Sequence, residues 1–179
     1  MLAQRTLAFT KRQKLIRLPK VVRPHVKRWH SSDGVRTHEF LSKLDHDRIV
    51  RAIAAAEAKT SGQIRVYLQR GNLREPVLAA AKKQFRKLGM QKTKERNAVL
   101  IFVAPRARKF AVIGDRGVHE KCGEVYWREL VEKMRAHFQN ENFNEAFLEA
   151  IGQTGELLAQ HFPKMESGKD ELPNEIVEE

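Results

Sequence analysis

A single cysteine, Cys122, rules out a disulfide framework and leaves no cysteine pair for zinc. The seven histidines show no HExxH or similar spacing, so a structural zinc is not expected. Gly-x-Ser-x-Gly, GxGxxG and GxxxxGK[ST] are also missing, which argues against the common hydrolase and nucleotide-binding mechanisms. No zinc, nucleotide or haem cofactor is therefore expected. The longest uninterrupted apolar stretch, residues 98–105, has eight residues. A membrane-spanning helix needs about 20, so the chain is expected to be soluble. Acidic residues are scarce at one end only. Residues 1–36 hold ten Lys/Arg against Asp33 alone and contribute +9 of the net +12. Residues 163–179 reverse the balance, with six acids against two lysines.

The remaining sequence is organised around residues 97–117, NAVLIFVAPRARKFAVIGDRG, in which two apolar runs flank a short Pro- and Arg-rich turn. Residues 99–103 are too short for a helix and suit a strand covered on both faces. Residues 109–113 form the answering strand, and the four residues from Pro105 to Arg108 have hairpin-loop length. Upstream, Asp45 can cap a helix whose apolar face is Ile49, Ala52, Ile53 and Ala56, ending near residues 60–62. Residues 63–68 alternate polar and apolar and read as a strand. A helix follows from Pro76, with Val77, Leu78, Ala81, Phe85 and Leu88 as its stripe and Gly89 as its stop. Strand, helix and strand make a βαβ unit with parallel strands. Two amphipathic helices close the domain, carrying Trp127, Leu130, Val131, Met134 and Phe138, then Phe143, Phe147, Ile151, Leu158 and Phe162. These aromatic stripes read as core. No internal repeat is visible.

The order and spacing of several segments resemble the TPM domain family. The segments are residues 61–66 (SGQIRV), Phe85 to Gly89, residues 97–103 and residues 109–114, with Phe138 and Phe143 to Phe147 leading into the final helix. The resemblance spans about residues 40–163. It implies a three-layer α/β/α sandwich around a small mixed, mostly parallel sheet of three to four strands. The family is found in thylakoid, photosystem-repair and many bacterial proteins. It is linked to acid phosphatase activity, divalent-cation binding and maintenance of membrane complexes. Members often carry an export signal and a membrane helix, and neither is read here. The expected organisation is a basic, disordered leader over 1–39, the TPM-like domain over 40–163 and an acidic, disordered tail over 164–179. A cytoplasmic location is expected. An organellar one is the alternative if residues 1–36 form a transit peptide, whose Arg-rich, acid-poor composition they share.

Strand directions bring Gln63, Asn97 and Gly114 to one edge of the sheet. Asp115, Arg116, His119 and Glu120 then emerge near Glu57, Thr60 and Ser61. Asp115, Glu120 and Glu57 are the candidate ligands for Ca²⁺ or Mg²⁺, hard cations that take oxygen donors. Arg116 is the candidate phosphate or anion contact. The competing reading has Asp115 and Glu120 pair with Arg116, Lys121 or Arg128, or cap the next helix. Cys122 and Arg128 have the Cys-x5-Arg spacing of cysteine-dependent phosphatases, but Tyr126 and Trp127 belong to a helix and Glu124 would repel phosphate, so Cys122 reads as an ordinary thiol. Arg70, Arg106 and Arg108 cluster at the opposite edge and are candidates for polyanion binding. The expected role is a non-catalytic binding or maintenance factor for a protein or membrane-associated partner, with a divalent cation at the Asp115 edge. The alternatives are a metal-assisted acid phosphatase and a nucleic-acid-binding module led by the basic N-terminus.

Overall fold

A computed structural model describes residues 25–28, 37–164 and 176–179. Its centre is a five-stranded sheet. In chain order the elements are strand β1 (His25–Arg28), helices α1 (Thr37–Ser42) and α2 (His46–Glu57), strand β2 (Gln63–Leu68), helix α3 (Val77–Lys87), strands β3 (Ala98–Ala104) and β4 (Lys109–Gly114), helices α4 (Arg116–Gln139) and α5 (Phe143–His161), and strand β5 (Ile176–Glu178). The strand order is β1-β4-β3-β2-β5. β2 is parallel to β3 and to β5, while β4 runs antiparallel to β3 and to β1.

Side-chain alternation divides the sheet into two faces. Ile64, Val66, Leu68, Val99, Ile101, Val103, Phe110 and Val112 point into one cluster with α1, α2, α4 and α5. Tyr67, Leu100, Phe102, Ala104 and Ala111 point into a second cluster beneath α3. This is the expected α/β/α sandwich, and it explains why β3 carries no polar position: every one of its residues is buried. The helices begin and end where local chemistry directs. The Asp45 carboxylate accepts from the Arg48 N–H at 2.9 Å, capping α2. α3 follows Pro76, buries Val77, Ala80, Ala81, Gln84 and Phe85 along one stripe, and is closed by Gly89 in the left-handed region (φ 70°).

The structure differs from the sequence reading at several points, one of them α1, which begins inside the expected leader and buries Phe40. α4 starts at Arg116, well before the aromatic stripe, and Gly123 (φ 68°, ψ −175°) breaks it internally. β1 lies within the expected leader and pairs with β4, and β5 lies within the expected tail and pairs with β2. Among the described residues, parallel and antiparallel ladders are consequently equal in number, two of each, rather than mostly parallel. The physical reason is that β4 and β2 would otherwise leave a row of peptide groups without ladder partners, which short strands from the chain ends supply. The remainder of the expected leader and tail lies outside the described residues.

Candidate functional site

The Asp115 edge is built by the ladder itself. Gly114 pairs with Val99, and the Asp115 N–H donates to Ala98 O at 2.8 Å, so the backbone stays in register until α4 begins. Asp115 caps that helix, its Oδ1 accepting from the Arg116 N–H at 2.8 Å. The same carboxylate receives both arms of a guanidinium: Arg96 Nε lies 2.6 Å from Oδ2 and Nη2 lies 2.9 Å from Oδ1. The Asp115 side chain is 7% exposed and that of Arg96 46%. This contact holds the Arg96 guanidinium above its ordinary pKa. Arg96 reaches it from a left-handed backbone conformation (φ 54°) one residue before Asn97. Gly117, in the first turn of α4, lets this loop approach: its N–H donates to Arg96 O at 2.9 Å, and a Cβ there would lie 2.3 Å from Glu95 O.

Around this pair runs a polar seam. Ser61 Oγ donates to Glu95, and Asn97 Nδ2 donates to Ser61 Oγ at 3.1 Å and to Glu95 Oε2 at 3.3 Å. The Thr60 hydroxyl donates to Phe162 O and accepts from the Gly62 N–H at 3.0 Å. Glu57 is buried, and its Oε1 accepts from the Ile64 N–H at 2.5 Å. On the α3 side of β4, an open cleft of about 360 Å³ is lined by Lys82, Phe85, Arg86, Gln91, Arg96 and Asp115. Its three cations outnumber its one carboxylate, so its field favours an anion over a cation.

The expected cation ligands are not drawn together. Asp115 is engaged by Arg96 and by the helix cap. Glu120 is exposed and pairs with Arg116 at 3.3 Å along α4. Glu57 closes a backbone bond at the start of β2. Among the described residues no group of three or more His, Cys, Asp or Glu side chains could hold a metal ion. The donor set does not fit Ca²⁺ or Mg²⁺ in this arrangement, because a guanidinium stands where the cation would have to approach Asp115. The cap and the Arg116–Glu120 pair were foreseen as the competing reading. Arg96 was not, since nothing local to it marks a contact 19 residues away. Arg116 faces Glu120 and does not line the cleft. Burial pushes the Cys122 thiol up to about 11, the opposite of what a nucleophilic cysteine requires.

At the opposite edge Arg106 is exposed in a short 3-10 turn (Pro105–Ala107), and Arg108 closes that turn in a left-handed conformation (φ 48°). Arg70 pairs with Glu178 of β5. Glu178 Oε1 also lies 2.6 Å from His46 Nε2. Glu179 meets Lys87, and its Oε2 accepts from Tyr67 OH at 3.2 Å and from Gln84 Nε2 at 3.2 Å. Lys87 is the first cause holding the Glu179 carboxyl below its ordinary range. The backbone adds Arg70 N–H to Glu179 O at 2.7 Å and Glu179 N–H to Leu68 O at 3.3 Å. The sequence hinted at this arrangement only through opposite charges at separated positions. The basic N-terminal stretch proposed for nucleic acid, apart from residues 25–28, lies outside the described residues. Among those described, no helix is long and apolar enough to cross a membrane.

Fold and edges together define a three-layer α/β/α domain with a mixed sheet closed by strands from its two chain ends. The TPM domain profile matches residues 35–157, and the chain belongs to the TPM domain family. Among solved structures, the BA42 protein of the psychrophilic bacterium Bizionia argentinensis is 33% identical, with a TM-score of 0.70 over 77% of this chain and 99% of that one. The N-terminal domain of a P. gingivalis protein is 14% identical, with a TM-score of 0.57 over 78% of this chain and 99% of its own, and shows likeness of fold alone. No curated protein matches the chain.

Proposed function

We propose that this TPM domain is a non-catalytic binding domain for a protein or membrane-associated partner. The observation that carries the reading is the engagement of Asp115: both of its oxygens accept from Arg96, and one also caps α4. A general base or metal ligand needs lone pairs free for substrate or ion, and three of this carboxylate's acceptor directions are taken by Arg96 and the α4 cap. The raised Cys122 thiol supports the same conclusion for covalent chemistry. The test is hydrolysis of a generic phosphomonoester by the full chain with Ca²⁺ or Mg²⁺ added, beside Asp115→Asn and Arg96→Ala. The expected result is no saturable turnover in any of the three proteins. Saturable turnover by the unsubstituted chain that Asp115→Asn abolishes, together with calorimetric uptake of the metal, would replace this reading with the metal-assisted phosphatase.

A further inference from the structure

We infer that the β2 edge is a recognition site for an extended acidic peptide, two apolar residues followed by two acidic ones, and that Ile176–Glu179 is a tethered occupant of that site. The geometry is that of parallel strand addition. Val66, Tyr67 and Leu68 pair with Ile176, Val177 and Glu178, and the Arg70 and Glu179 N–H groups extend the ladder. Successive side chains of the added strand fall on opposite faces of the sheet. Ile176 packs on the cluster shared with α2 and α5, and Val177 packs on the cluster beneath α3. Glu178 then meets Arg70 and His46, and Glu179 meets Lys87, Tyr67 and Gln84. Each position of the added strand thus has its own receptor: two apolar, then two cationic.

The receptors belong to the folded body, whereas the occupant is short. Tyr67 belongs to β2, Gln84 and Lys87 to α3, and Arg70 follows β2 by two residues; β2 and α3 are anchored by the fully buried residues of the sheet and of the cluster beneath α3. Ile176, Val177 and Glu178 are only partly buried. A strand this short contributes few apolar contacts and belongs to the least stable part of a fold. Its occupancy is intramolecular, so a partner strand competes with an effective concentration and not with free peptide. A partner bearing the same pattern on a longer strand would displace it. The site and ligand class lie within the binding role proposed above, but they stand or fall by peptide binding and not by the absence of turnover.

Two measurements on the full chain test the proposal. In the unsubstituted protein, amide exchange is compared at two neighbouring residues of one strand. The Gln69 N–H faces β3, donating to Val103 O at 2.8 Å, and the Arg70 N–H faces β5. Exchange at Arg70 is expected to be at least about a hundredfold faster, as a locally opening contact requires. Equal protection at both would mean the strand is a permanent part of the sheet and would overturn the proposal. In the second measurement a fluorescent peptide, Asn-Glu-Ile-Val-Glu-Glu, is titrated by anisotropy at low salt. The Glu178→Lys/Glu179→Lys variant, whose own tail is repelled by Arg70 and Lys87, should bind it about tenfold more tightly than the unsubstituted chain. Adding Arg70→Glu and Lys87→Glu should abolish that binding. Affinity that is equal in the unsubstituted and tail-repelled chains, or indifferent to Arg70→Glu, would overturn the site. So would a concentration-dependent doubling of mass without peptide uptake, which would place a second copy on the edge.

Discussion

Replacing Arg96 by alanine removes one partner of the bidentate pair and leaves Asp115, 7% exposed, with the helix cap alone. Loss of one member of a fully buried pair costs about 3–5 kcal/mol, whereas exposed pairs contribute about 0–1 kcal/mol. The Arg96 side chain is 46% exposed, which sets the pair between these limits, at about 1–2 kcal/mol. A second term acts through the backbone. Arg96 has φ 54°, a conformation that costs a residue with a Cβ about 1 kcal/mol and glycine little. Arg96→Gly should therefore be less destabilising than Arg96→Ala by about 1 kcal/mol, although both delete the guanidinium. The assay is urea unfolding of the full chain, followed by circular dichroism, for Arg96→Ala, Arg96→Gly, Asp115→Asn and the Arg96→Ala/Asp115→Asn double variant. Asparagine keeps an oxygen to cap α4, so the cycle isolates the ionic contact. A coupling energy of about 1–2 kcal/mol is expected. Coupling below about 0.5 kcal/mol, or a glycine variant no more stable than the alanine variant, would refute the account of this corner.

Gly117→Ala places a Cβ 2.3 Å from Glu95 O, a backbone atom that cannot swing aside, and should destabilise by about 1–3 kcal/mol in the same urea assay with an unchanged m-value. Glu57→Ala removes the buried acceptor of the Ile64 N–H and should cost about 1–3 kcal/mol, whereas Glu57→Gln keeps an acceptor and should retain most of that stability. Equal losses for the two Glu57 variants would show that the bond to Ile64 is not what matters. Burial raises Cys122 from 9.0 to about 11 and Tyr126 from 10.0 to about 12. Because both folded values lie above the unfolded ones, the unfolded chain ionises first, and stability should be full below pH 9 and fall as pH rises towards about 12. Thermal melts across that range check the direction, and alkylation of Cys122 with a midpoint near 9 instead of 11 would contradict its burial.

Legibility in the sequence followed the range of the interactions concerned. Strands β3 and β4 announce themselves because each buries a run of consecutive apolar residues, β2 because its polar and apolar residues alternate, and α2 because Asp45, Ile49 and Ile53 mark its cap and its face within three turns. Periodicity did not mark the part of α4 ahead of the aromatic stripe, because its first two turns contribute only Val118 to the core and end at Gly123; only the capping potential of Asp115 pointed to it. β1 and β5 were read as disorder for a different reason. Val26 and Val177 lie in charged surroundings, and only the unpaired edges of β4 and β2, far away in sequence, make strands of them. At the candidate site, capping by Asp115 and the Arg116–Glu120 pair were readable because both are local. The Arg96–Asp115 contact was not, because it joins the residues just outside the open end of the β3–β4 hairpin and depends on the left-handed turn at Arg96 that aims its side chain there.

The two edge strands also bear on where this domain can be cut. A fragment restricted to residues 40–163 would retain the whole apolar core, yet it would remove both strands that terminate the sheet. The exposed peptide groups of β2 and β4 would then lie alongside runs of buried valine, isoleucine and phenylalanine, the composition that promotes edge-to-edge growth into aggregates. Edge protection in this domain therefore comes from segments far outside its apolar core, and a fragment that reaches from His25 to Glu179 should aggregate less than one restricted to 40–163.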